Sequence, residues 1–98
     1  LVLGDRTSSD LWQVNASIAA TLLLQGLVDR GLAGCWVQVD GRPRRKEKPD
    51  GEQADAYLRT FLPLPETCGI LCAVACGYSD FTPAPLPDFD PKQTVEFL

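Results

Sequence analysis

The sequence predicts a small α+β domain, and three observations carry that prediction. Residues 10–30, within "SSDLWQVNASIAATLLLQGLVDRG", have the apolar content and end signals of one long helix. Two shorter stretches, "AGCWVQVD" and "CGILCAVACG", have the composition of strands. A third, "GEQADAYLRTFL", returns to helical periodicity, with Ala54, Tyr57, Leu58, Phe61 and Leu62 following the i, i+3, i+4, i+7 rule. Ninety-eight residues allow one modest core and no more, so the chain is a single small domain or part of one. It opens on "LVLGD", which has no methionine and reads as the end of a strand, so a natural start further upstream is expected.

The long helix is expected to begin at Ser9 or Asp10, with Gln13 three residues beyond Asp10 as in a capping box, and to stop at Gly31 in the left-handed position that ends many helices. Between Ala16 and Val28 its only polar residues are Ser17, Thr21 and Gln25, which form one narrow line. Such a helix is buried nearly all round, and a chain of this size lacks the material to cover it. A partner subunit or further domain is expected to do so.

A strand at 34–39 follows. "GRPRRKEKPDGEQ" then reads as a surface loop punctuated by Pro43, Pro49 and Gly51. Its basic run, Arg42, Arg44, Arg45, Lys46 and Lys48, has the charge to grip phosphate or dock a partner, but no aromatic residue is interleaved, and a solvated loop is the expected reading. The second helix ends at Pro63 and Pro65. In "CGILCAVACG", strict alternation places Cys68, Cys72 and Cys76 on one face with Ile70 and Val74, and Gly69, Leu71, Ala73, Ala75 and Gly77 on the other. Both faces are apolar, which is the pattern of a central strand covered on both sides. Four of eight prolines fall in "FTPAPLPDFDPKQTVEFL", an extended arm that reaches a final strand at "TVEFL".

Several function classes are excluded or disfavoured on composition. A net charge of −4 repels nucleic acid and anionic membrane surfaces. No apolar run approaches the roughly 20 residues that span a bilayer, and no secretory layout is present, so a soluble cytoplasmic chain is expected. Absence of histidine removes Cys-His catalysis and most catalytic zinc designs. Cysteines four apart on one strand stand roughly 13 Å from each other, too far to share an ion. The four thiols are expected to be free and buried, acting as small hydrophobes, and no metal site is expected. No phosphate-binding loop, dinucleotide fingerprint or nucleophile elbow appears, and Asp5, Asp10, Asp29, Asp88 and Asp90 are placed as caps and turn residues. No catalytic side chain is assigned.

The ordered series "ASIAATLLLQGLVDRGLAGCWVQV", "YLRTFLPLP", "GILCAVACGYSD" and a proline-rich tail resembles the C-terminal half of the FMN-dependent nitroreductase family. There the interface helix reads like "AS-I-A-A-x-x-LLL" and runs into "GLG-x-CW", followed by a helix with "LGLP", a strand ending "ALGYP" and an arm that embraces the other subunit. The resemblance implies a partial nitroreductase-like α+β fold: a long buried interface helix, an antiparallel or mixed sheet, a second helix and an extended C-terminal arm. Residues 1–98 would form the C-terminal portion of one such domain, with 79–98 as a dimer-clasping arm. It also implies a homodimer that builds FMN sites from both subunits, NAD(P)H as electron donor, and a nitroaromatic or quinone-like acceptor. The segment Trp36, Val37, Gln38 and Val39 would pass along the flavin ring, with backbone N–H groups near Gln38 and Val39 donating to it, while the cofactor supplies the hydride chemistry. Three departures stand out: the family's N-terminal arginine motif has no counterpart here, no basic residue follows "GYSD" until Lys92, and Leu22 occupies a position where asparagine is common. A non-catalytic dimerising module that kept the scaffold and lost the flavin is the alternative.

Overall fold

The computed structural model describes residues 1–88, 90, 91, 95 and 96. The element order is β1 (Val2–Asp5), α1 (Trp12–Asp29), β2 (Ala33–Gln38), α2 (Ala54–Arg59) and β3 (Cys68–Gly77). The strands form one antiparallel sheet in the order β1-β3-β2. "CGILCAVACG" is therefore the central strand, as its apolar content predicts, and "LVLGD" is indeed strand. None of the helices described is long and apolar enough to cross a membrane.

Helix α1 packs on the sheet through Trp12, Ala16 and Ala20, spaced four apart on one stripe, against Leu71 and Cys72 of β3. Its end follows the sequence signal. Gly31 has φ +70°, its N–H donates to Val28 O at 3.0 Å, and Leu32 N–H donates to Leu27 O at 2.9 Å, the two bonds of a Schellman motif. Its start differs: Leu11 occupies the cap position with no side-chain cap, and Ser9 Oγ accepts from Leu11 N–H instead, so the Asp10/Gln13 capping box does not form. Within this single chain the helix is covered on one side only, the rest being the part that the sequence leaves to a partner or further domain. One stripe is buried, while Leu11, Val14, Ile18 and Leu22 are about half or more exposed on the opposite side. The two hydroxyls of the polar line are satisfied internally, since Ser17 Oγ donates to Gln13 O and Thr21 Oγ1 to Ser17 O.

The cysteine face needs correction. Val2 pairs with Cys72 and Leu3 with Ile70, so Leu71 is an extra residue in β3, a bulge. A Cβ on Gly69 would meet the Trp12 indole at 2.5 Å, and a Cβ on Gly34, directly opposite Cys76, would meet Leu24 and Leu27 of α1 at 2.7 and 2.9 Å. Gly69 and Cys76 thus share the α1 face although they stand seven positions apart, an odd spacing that strict alternation forbids. The bulge reverses the alternation: Cys72, Val74 and Cys76 face α1, while Cys68 and Ile70 lie on the other side. Nor are all four thiols buried. Cys72 is, and burial pushes its thiol up, whereas Cys35 and Cys76 are exposed; all four are free.

Helix α2 is shorter than the 51–62 expected from periodicity, because Gln53 is held in a bridge to Pro43 and Phe61 lies beyond the helix, 57% exposed. Arg59 fixes it to the entry of β3: its guanidinium donates to Asp55 Oδ1 at 2.8 Å, to Pro65 O at 3.1 Å and to Cys68 O. Residues 78–88 carry no helix or strand, and Tyr78, Phe81 and Leu86 are largely exposed. The final strand at "TVEFL" falls largely outside the described residues; Val95 and Glu96, which are described, lie in no strand.

Two expected outcomes follow from these contacts. Gly69→Ala forces a methyl into the Trp12 ring and is expected to destabilise the fold by about 1–3 kcal/mol, a penalty that shrinks in a Trp12→Leu background when urea midpoints of the four proteins are compared. The Asp5 carboxylate accepts from Thr7 Oγ1, Ser8 Oγ and Thr7 N–H, which hold its pKa down to about 2 from 3.8. A depressed folded-state pKa gives stability that is complete above pH 3.8 and lost as pH falls to about 2. The stability gap between the wild type and Asp5→Asn is therefore expected to close between pH 5 and pH 2; a gap that stays constant contradicts this role for Asp5.

Candidate functional site

β2 pairs only with β3, so its other side is a free edge among the described residues. Val39 N–H donates to Leu71 O at 3.0 Å while Gln38 stands opposite Cys72, which makes Gln38/Cys72 a non-hydrogen-bonded pair. The antiparallel pattern then turns Cys35 and Val37 N–H toward β3 and leaves Gly34, Trp36 and Gln38 N–H pointing outward from the edge. Successive outward donors stand about 7 Å apart along the strand.

The four residues of the expected flavin segment thus divide. Trp36 is half-buried on the α1 face, and its Nε1–H donates to Gln38 Oε1 at 2.8 Å. Gln38 Nε2 in turn donates to Asp40 O at 3.1 Å. These two bonds fix the Gln38 side chain along its own strand and leave its backbone N–H directed away from the sheet. Val39 is buried, 4% exposed, and its N–H is committed to Leu71 O, a carbonyl that also accepts from Asp40 N–H at 3.0 Å. Val37 lies on the face away from α1 beside Ala73, with Cys35 beside Ala75. That face is lined by small, partly exposed groups.

The strand turns sharply after Val39: Gly41 has φ +67° and Arg42 N–H donates to Val39 O at 3.1 Å. An L side chain is strained at that φ, so glycine permits the strand to end immediately after the site. The sequence singled out Gln38 by position along the motif but carried no signal for which N–H groups face outward, because that depends on the pairing register with β3. No three His, Cys, Asp or Glu side chains converge to hold a metal among the described residues. What the edge offers is backbone hydrogen-bond donation to the rim of a flat polar ligand.

No protein-family profile matches the chain, and no curated protein does. A solved structure does: an FMN-dependent nitroreductase from Clostridium difficile R20291, at a TM-score of 0.81 and 32% sequence identity, over 97% of this chain and 53% of that one. The chain therefore spans about half the length of the structure it matches. An α+β element order, an antiparallel sheet and that superposition agree, and the 98 residues form part of a nitroreductase-like domain.

Proposed function

We propose that this chain is the part of an FMN-dependent oxidoreductase of nitroreductase type that lines one rim of the flavin, with NAD(P)H as electron donor and a nitroaromatic or quinone-like compound as acceptor. The outward Gln38 N–H on the free edge of β2 is the observation that carries this reading, and the solved relative named as FMN-dependent supports it. FMN, when bound, supplies the hydride chemistry. The chain's own contribution is positional. Gln38 N–H donates to the ring edge where negative charge collects, Trp36 holds the Gln38 side chain out of the way, and the Val39 and Asp40 bonds to Leu71 keep the strand end from moving. Val39 N–H, already committed, serves the scaffold rather than the ligand.

A homodimer belongs to this reading. Leu11, Val14, Ile18 and Leu22 form a stripe at helical spacing opposite the buried one, and the back-bonded hydroxyls of Ser17 and Thr21 leave it little demand for water. The exposed arm residues Tyr78, Phe81 and Leu86 supply apolar groups for a clasp on the second copy. Free cysteines throughout fit a reducing, cytoplasmic setting. The alternative, a dimerising module without flavin, rests on the absence of any basic side chain between Arg59 and Lys92 to meet a flavin phosphate.

Flavin measurement separates the two. Protein purified as its cell makes it is expected to carry or take up FMN with visible absorbance; a protein that stays colourless with added FMN sinks the oxidoreductase reading and leaves the module. Gln38→Pro removes the outward N–H at an edge position where proline is tolerated, so the circular dichroism spectrum is expected to be unchanged while FMN affinity falls about 10- to 100-fold. Ile18→Glu with Leu22→Glu is expected to shift the protein from dimer to monomer in sedimentation and to release flavin with it.

A further inference from the structure

The basic run that follows β2 is solvent-exposed, as expected of a surface loop, and its base is held by hydrogen bonds. Pro43 bridges Gln53, Arg44 N–H donates to Glu52 O at 2.8 Å and Ala54 N–H to Arg42 O at 2.9 Å, so residues 42–44 and 52–54 form a short antiparallel pair. Between them two hydrogen-bonded turns follow one another, Lys48 N–H to Arg45 O and Gly51 N–H to Lys48 O, both at 3.0 Å. Arg45 and Lys48 are the first and last residues of the first turn, which brings their Cα atoms within about 7 Å. Arg44 is immobilised: its Nη1 donates to Glu52 Oε2 at 2.9 Å, and its guanidinium lies 3.6 Å from the centroid of the Tyr57 ring. Glu52 offsets the Arg44 charge. Arg45 and Lys48 have no ion-pair partner among the described residues.

Arg44, Arg45 and Lys48 line, with Gly51 and Glu52, an open cleft of about 330 Å³. Two unpaired cations held at the ends of one turn repel each other, and an anion between them relieves that repulsion while accepting charge-assisted hydrogen bonds from both. Two separate cationic heads beside a clamped guanidinium suit a ligand with two adjoining anionic groups. Nucleic acid is disfavoured, because the chain as a whole is acidic, and three of the five basic residues of the run line one cleft. The cleft also has a fixed relation to the strand edge: the Arg42 N–H bond to Val39 O ties the foot of the hairpin to the residue after Gln38.

We propose that this cleft binds the pyrophosphate of the nicotinamide dinucleotide that supplies hydride, holding the donor by its phosphates beside the β2 edge; this rests on the reading of Gln38 as the flavin contact. Arg45 and Lys48 donate to the two phosphate groups, and Arg44, fixed by Glu52 and Tyr57, forms the wall. The FMN phosphate is the other source of such an anion, and the test distinguishes the two.

Backbone amide NMR of the protein, titrated at constant ionic strength with sodium pyrophosphate, is expected to show saturable shifts confined to residues 42–53. NADH is expected to shift the same residues, and Arg45→Gln with Lys48→Gln to weaken both ligands about 10- to 100-fold while FMN affinity stays unchanged. Shifts that never saturate, or that spread over the chain, overturn the site. Pyrophosphate binding without NADH binding, or loss of FMN rather than NADH in the double variant, overturns the donor assignment. If FMN fails to bind while pyrophosphate still saturates the cleft, it is the flavin reading that has failed and the anion site that stands.

Discussion

The contact on which the rest of this fold depends is the Trp12 indole lying against the backbones of Gly4 and Gly69. Added Cβ atoms at those glycines would meet the ring at 2.7 and 2.5 Å, so neither strand could present a side chain there. With the indole seated across β1 and β3, the stripe Trp12, Ala16, Ala20 is turned onto the sheet and the stripe Leu11, Val14, Ile18, Leu22 is turned away from it. The same helix continues over β2, where Leu24 and Leu27 fill the space above Gly34. Three glycines, one on each strand, therefore let one helix approach the whole sheet closely.

That arrangement decides what is left outside. The α1 face of the sheet is covered, but around Cys35, Val37, Ala73 and Ala75 the other face is only partly so, and the apolar stripe of α1 has nothing against it among the described residues. A domain of this size cannot cover two faces of a sheet and two sides of a helix. The match to about half of a longer nitroreductase structure accords with a surface of this kind.

Much of this was legible in the sequence, and the exceptions have one cause. The long helix, its glycine stop, the central strand and the strand carrying Trp36 to Val39 all follow from local apolar periodicity and turn residues, which act over a few residues. What local pattern could not supply was pairing. The bulge at Leu71 arises from how β1 and β3 meet, so the cysteines, read as one face by alternation, divide at that point. The Pro43–Gln53 bridge likewise withdraws Gln53 from α2 and converts a charged loop into a folded hairpin with a cleft. At the candidate site the motif located the segment, while the distinction between an outward Gln38 N–H and a committed Val39 N–H belongs to the register with β3. Asp40 and Leu71, whose carbonyls hold that segment, carry no signal in the sequence because backbone acceptors have none.

The central claim is that the β2 edge donates to the flavin through Gln38 and not through Val39. Amide hydrogen exchange measured residue by residue, with and without FMN, tests it most directly. The account predicts that in the free protein the Gln38 N–H exchanges rapidly and the Val39 N–H slowly, and that FMN slows Gln38 while leaving Val39 as it was. A Gln38 N–H already protected without FMN, or one whose exchange FMN does not change, would contradict it.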